Sequence, residues 1–133
     1  MTNRRLYDTR FFVEYFYSNE SELIRKLKEE LRLVKERMVS SLTVHEIHHI
    51  ILKREGKQVA ELRSSTVRRD FEVIDVDYQI AIKSAELRNK HQIPMADSVI
   101  AATAQIQQCP LFSDDTHFKD IENLRTVWCK TLQ

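Results

Sequence analysis

Glycine is almost absent from this chain: Gly56 stands alone among 133 residues. That scarcity excludes the glycine-rich loops that cradle nucleotide phosphates, both G-x-G-x-x-G and the Walker A loop, since each needs several glycines close to the phosphate. Cysteine is nearly as rare. Cys109 and Cys129 fall in segments that read as strands, and neither belongs to a Cys-x-x-Cys pair of the kind that binds zinc or does redox work, so both are expected as buried, reduced thiols. A surplus of one charge is missing too: 21 Lys and Arg face 20 Asp and Glu, and a net charge of +1 gives no overall field to hold nucleic acid. Any anion binding must be local. No apolar run approaches the length of a membrane span, and MTNRRLYDTRFF lacks the apolar core and small-residue cleavage site of a secretory signal. The expectation is a cytoplasmic protein without membrane contact. At 42% hydrophobic and 31% charged, residues 1–133 are expected to form one domain around a single core.

What is present is an alternation of short apolar runs with helical periods. RRLYD reads as a brief strand and FFVEYFYS as a short aromatic helix. From Glu20 to Arg37 a longer helix is expected, its Leu23, Leu27, Leu31 and Val34 spaced by three and four, with the charges of ELIRKLKEELRLVKER on a solvated face. MVSSL is the next strand candidate. Thr43 to Arg54 reads as a helix closed by Gly56, and Lys57 to Arg69 as another. FEVIDV is the clearest strand, Asp77 to Lys90 a helix, and PMADSVIAATA the start of a small-residue helix whose Pro94 suits a first turn. Short strands near CPLFS and RTVWC close the pattern. Short strands alternating with helices of ten or more residues argue for right-handed crossovers on a mostly parallel sheet with helices on both faces.

Open parallel sheets place their sites outside the carboxyl ends of the strands. Four acids meet that condition: Asp8 after RRLYD, Glu46 in the first turn of the helix after MVSSL, Asp97 at the mouth of the small-residue helix, and Asp115 in the turn SDDTHF. Each has an ordinary structural alternative. Asp8 can cap the aromatic helix, Thr43 and Glu46 spell a Thr-x-x-Glu capping box, Asp97 can accept helix N–H groups, and Asp114 with Asp115 can close an Asx-turn. The conjunction is what resists those readings. Four carboxylates on one edge repel one another unless a cation neutralises them, and a hard divalent ion such as Mg2+ or Mn2+ does so with oxygen ligands.

The same residues resemble a known family. DT at Asp8 and Thr9, SSLTVHE up to Glu46, PMADSVIAATA around Asp97 and SDDTHF around Asp115 look like the four acidic motifs of the PIN-domain nucleases, over nearly the whole chain. The late motif is similar to a Thr-x-Asp-x-x-Phe pattern with Ser113 in the Thr place, and Arg10 stands where the family often has a small residue. The resemblance implies a three-layer α/β/α fold with a short, mostly parallel central sheet. It further implies an endoribonuclease that uses Mg2+ or Mn2+ held by Asp8, Glu46, Asp97 and Asp115, with Thr9, Ser113 and Asp114 in support and Asp114 as the alternative fourth ligand. Single-stranded RNA is the implied substrate, hydrolysed at a phosphodiester. Small members of this kind resemble VapC-type toxins, so a protein antitoxin and a homodimer are implied as partners. RNA processing and non-catalytic RNA binding are the alternative roles.

A different enzyme class competes within one segment. His45, Glu46, Ile47, His48 and His49 spell His-Glu-x-x-His, the zinc-peptidase signature, which needs two His ligands one helical turn apart with the Glu as general base. Val44, Ile47 and Ile51 form the apolar stripe of that helix, however, which places His45 and His49 on the opposite, solvent side. Glu61, Glu72 and His91 are equally arbitrary choices of third ligand. For RNA contact the candidates are Arg4, Arg5, Arg10, Arg68, Arg69 and Lys90.

Overall fold

A computed structural model describes residues 3–129. Five parallel strands form the centre: β1 (Arg4–Tyr7), β2 (Glu36–Ser40), β3 (Glu72–Ile74), β4 (Leu111–Phe112) and β5 (Thr126–Val127), in the order β3-β2-β1-β4-β5. Between them run α1 (Thr9–Tyr17), α2 (Ser21–Leu33), α3 (Ser41–Glu55), α4 (Lys57–Asp70), α5 (Tyr78–His91) and α6 (Met95–Gln107), with one turn of 3-10 helix at Thr116–Phe118. The sheet is parallel throughout and the architecture is the three-layer α/β/α fold.

Adjacent residues of the strands build the layers. Side chains alternate across a strand, so Leu6, Met38 and Leu111 enter one core with Ile100, Ala101, Ala104 and Phe118. Their neighbours Tyr7, Val39 and Phe112 enter the other with Phe11, Phe12, Leu27, Ile47, Val67 and Phe71. The second core is aromatic: Tyr7 packs against Phe11 with ring centroids 4.6 Å apart, edge-on to Phe71 at 5.5 Å, and Phe11 meets Phe112 edge-on at 5.6 Å. Ser98, Ala101, Ala102, Thr103 and Ala104 of α6 are all buried, Ala101 and Ala104 in the first core and Ala102 in a smaller cluster with Ile80 and Val99.

Several boundaries depart from the sequence expectations: of FEVIDV only Glu72–Ile74 is strand, and MVSSL gives way to Glu36–Ser40. The Glu20–Arg37 helix stops at Leu33 because Glu36–Ser40 pairs with β1 in parallel register, Met38 opposite Leu6 and Val39 opposite Tyr7. Sheet pairing overrides helix propensity there, while Val34 still completes the apolar stripe, 3% exposed, in extended conformation. Helix α3 begins earlier than Thr43. Ser40 accepts from the Leu42 N–H at 3.1 Å and serves as the N-cap, so Thr43 lies buried inside the helix and the capping box does not form. Glu46 consequently sits in the second turn, free of a capping role. Cys109 and Cys129 lie just outside β4 and β5 rather than within them, as free thiols; Cys109 is buried, which pushes its pKa up to about 11, and Cys129 is half-buried.

Gly56 closes α3 at φ +88°, a value that residues with a Cβ rarely adopt, and α4 starts directly from it. No helix among the described residues is long and apolar enough to cross a membrane.

Candidate acidic site at the carboxyl edge of the sheet

The site is assembled from the ends of β1 and β4 and from the helices that follow the strands. Asp8, immediately after β1 and 4% exposed, caps α1 by accepting from the Phe11 N–H at 3.2 Å. Capping and site placement therefore coexist in one carboxylate. Burial raises the Asp8 pKa to about 6. Hydrogen bonds from Ser113 and the Phe11 N–H oppose that shift, and the charges of Asp114 and Asp115 reinforce it. The next residue, Thr9, donates from Oγ1 to Glu46 Oε1 at 2.5 Å, which ties the start of α1 to α3 and orients the Glu46 carboxylate.

After β4, buried Ser113 accepts from the Asp115 N–H at 3.1 Å, and Asp115 accepts from the His117 N–H at 2.8 Å to cap the 3-10 turn. These short-range bonds fix a tight loop, an Asx-type turn as the sequence allows. Asp97 lies in the first turn of α6, but its hydrogen bond runs across the chain to His117 Nδ1 at 2.5 Å. The same nitrogen is 3.4 Å from Asp115 Oδ1. Partial burial holds the Asp97 carboxyl above its usual range, the His117 hydrogen bond works against that, and the Asp115 charge adds to it.

The structure thus brings Asp97, Asp115 and His117 together, with one ligand atom from each within 4.8 Å of the others. Asp8 is linked to this group through Ser113 and the charge of Asp115, whereas Glu46 is tied to Thr9, the residue after Asp8, and is not among the three converging residues. Asp114 has a different partner: Arg10 Nε is 2.6 Å from its Oδ1, so Arg10 stands at the rim of the acids with its guanidinium half exposed. His117 is the residue that motif matching passes over, because it occupies an unspecified position of Thr-x-Asp-x-x-Phe. Its chemistry, an imidazole two residues after an acid in a turn, was the available signal.

The remaining sequence candidates lie elsewhere. Arg4 and Arg5 open β1 at the opposite, amino edge of the sheet, paired with Glu36 at 2.9 Å and Glu30 at 3.4 Å. Arg68 is exposed on α4, Arg69 pairs with Asp70 at 3.0 Å, and Lys90 pairs with Glu122 at 3.0 Å. His45 and His49 are exposed on α3 with ring centroids 6.5 Å apart, opposite the buried Ile47 and Ile51. Their Glu46 is engaged by Thr9, and among the described residues no third ligand converges on the pair. Of the third-ligand candidates, Glu61 is 3.8 Å from Lys57, and Glu72 and His91 belong to β3 and α5.

A parallel three-layer sheet with acids gathered at its carboxyl edge defines the class of the molecule. The family model of the PIN domain matches residues 5–124, and the chain belongs to that family. No curated protein sequence matches it. Among solved structures, a toxin-antitoxin complex from Klebsiella pneumoniae is similar at 26% identity, with a TM-score of 0.73 over 92% of this chain and 95% of that one. A VapBC complex from Rickettsia felis bound to a DNA fragment from its promoter has a TM-score of 0.78 at 19% identity, covering 96% and 99%. A sarcin-ricin-loop-cleaving VapC toxin from Mycobacterium tuberculosis gives 0.70 at 17% identity, covering 91% and 98%.

Proposed function

We propose that this chain is a Mg2+- or Mn2+-dependent endoribonuclease that hydrolyses phosphodiesters in single-stranded RNA, and that it is the toxin of a toxin-antitoxin pair. The observation that carries the reading is the convergence of Asp97, Asp115 and His117 beside buried Asp8 at the carboxyl edge of a PIN fold. The donor set suits a divalent cation. Burial raises the pKa of Asp8 and Asp97, the neighbouring acid charges add to it, and a bound cation would favour their ionised forms.

In this reading Asp8, Glu46, Asp97 and Asp115 hold one or two ions. Thr9 keeps the Glu46 carboxylate aimed by its hydrogen bond, and Ser113 braces both Asp8 and the backbone of Asp115. Arg10, drawn to the rim by Asp114, is placed to hold an RNA phosphate, so the strand is oriented before water attacks in line. The ion supplies Lewis acidity, easing deprotonation of water and offsetting charge on the phosphate oxygens. As the P–O bond to water forms, the P–O bond to the leaving oxygen breaks, and a proton from that water passes to the leaving oxygen.

The toxin role draws on the similar structures, which are toxin-antitoxin complexes, and on the toxin among them that cleaves the sarcin-ricin loop. A protein antitoxin, a homodimer and a cytoplasmic location belong to the same reading. Tyr78 and Ile82, exposed one turn apart on α5, offer apolar area for self-association.

The test is incubation of the protein with labelled single-stranded RNA under Mg2+, Mn2+, Zn2+ and EDTA, with Asp97→Asn in parallel. Cleavage that requires Mg2+ or Mn2+ and disappears in the folded variant supports the reading. Full activity of Asp97→Asn, or cleavage that persists in EDTA, overturns it.

A further inference from the structure

The imidazole of His117 is placed differently from that of an ordinary surface histidine. Its Nδ1 lies 2.5 Å from Asp97 Oδ2 and 3.4 Å from Asp115 Oδ1, and the backbone N–H of His117 donates to the Asp115 carboxylate at 2.8 Å. In an octahedral shell with bonds of about 2.1 Å, adjacent donor atoms stand about 3 Å apart. The two separations at Nδ1 bracket that spacing. This nitrogen hydrogen-bonds to Asp97 and has the Asp115 carboxylate within ion-pair distance, so one ligand atom from each of the three residues falls within 4.8 Å of the others.

We propose that His117 is itself a ligand of the divalent ion, through Nδ1 beside Asp97 and Asp115, and that it biases the site toward Mn2+, Co2+ and Ni2+ over Mg2+. The inference rests on the metal-nuclease reading above and goes beyond its four carboxylates. Mg2+ favours oxygen donors, whereas imidazole binds the transition ions with affinity that climbs from Mn2+ through Co2+ to Ni2+. A site of carboxylates alone lacks that nitrogen contribution. His117 therefore sets which ion occupies the site when several compete.

His45 and His49 complicate a direct measurement, because an exposed i, i+4 histidine pair on a helix is itself a chelator of Co2+ and Ni2+. The parent for the test is accordingly His45→Ala/His49→Ala, which leaves every residue of the acidic site in place. Binding of Mg2+, Mn2+, Co2+ and Ni2+ to metal-stripped protein is measured by calorimetry, and the Co2+ form is followed by its visible absorption. Two variants are compared with this parent. His117→Asn removes the imidazole but retains hydrogen-bonding groups, and His117→Lys retains a cation beside the acids without an imidazole.

The expected result is that His117→Asn weakens Co2+ and Ni2+ binding about tenfold or more, changes Mg2+ binding by less than about threefold, and alters the Co2+ spectrum. His117→Lys is expected to weaken all four ions by placing a fixed positive charge at the site. Equal weakening of every ion by His117→Asn, or no weakening of any, overturns the assignment of His117 as ligand while leaving the carboxylate site standing. A folded parent that binds neither Mg2+ nor Mn2+ overturns the metal-nuclease reading and this inference with it.

Discussion

The two ends of the central sheet treat charge in opposite ways. At the amino end, cations are matched as they arise: Arg4 reaches Glu36 and the Gln107 carbonyl at 2.9 Å, Arg5 reaches Glu30 at 3.4 Å, and Arg37 donates to the Leu31 carbonyl at 2.7 Å. At the carboxyl end, Asp97 and Asp115 meet at the His117 imidazole, Asp8 feels the charges of Asp114 and Asp115, and burial shifts Asp8 and Asp97 toward their protonated forms. One end spends its polar groups on joining elements. The other keeps mutually repelling groups in place through capping bonds and packing, an arrangement that lowers stability and so points to a ligand.

The sharpest way to break this contrast is at Asp97. Replacement by Asn should reduce RNA cleavage on the order of a hundredfold or more without loss of folding, as judged by initial rates and circular dichroism. Arg4→Met at the other end should leave the cleavage rate per folded molecule unchanged.

Asp8 sharpens the contrast through pH. Its folded pKa of about 6 exceeds the ordinary carboxylate value of 3.8, so folding favours the neutral acid; the associated stability is fully present below pH 3.8 and is lost as pH rises through 6. Asp8→Asn, neutral at every pH and still able to cap α1, should therefore be more stable than the native protein at pH 7 by up to about 3 kcal/mol in EDTA. The gain should vanish below pH 3.8 in thermal melts. Mg2+ should raise the Tm of the native protein more than that of the variant; an Asp8→Asn protein less stable at pH 7 would show that its capping bond outweighs desolvation.

Smaller effects come next. Arg4→Met should cost about 1 kcal/mol in urea unfolding, the modest value of a partly exposed ion pair plus a hydrogen bond to a carbonyl. His45→Ala/His49→Ala should change neither Mg2+-dependent cleavage nor stability by more than about 0.5 kcal/mol, since both rings face solvent. Loss of cleavage in that double variant would assign the chemistry to the His45–His49 pair instead of the carboxylates.

Periodicity and punctuation made much of this fold legible. The repeats of Leu23, Leu27 and Leu31, the lone Gly56 and the run FEVIDV each placed an element, because local spacing alone decides them. The second strand lies two residues earlier than MVSSL for a physical reason: Glu36 and Arg37 become strand only by pairing with a segment about thirty residues earlier, and no local pattern encodes that partner. Ser40 and Thr43 are both competent caps, and the strand's end selected the first. At the candidate site, the four acids were visible as residues that follow strands. His117 was not, because its role arises from Asp97, twenty residues away, meeting the turn after β4. The pairing of Arg10 with Asp114 likewise needed the fold.

The split of neighbouring strand residues between the two cores also acts as an error check. If β1 slipped by one residue, the Tyr7 phenol would point at the alanines of α6 and Leu6 would replace it among the aromatic rings, so both layers would reject the shift. Asp8 is the next residue along the chain. The misfit that excludes a slipped strand thereby also excludes a displaced carboxylate, and the accuracy of the acidic edge is inherited from side chains that never touch it.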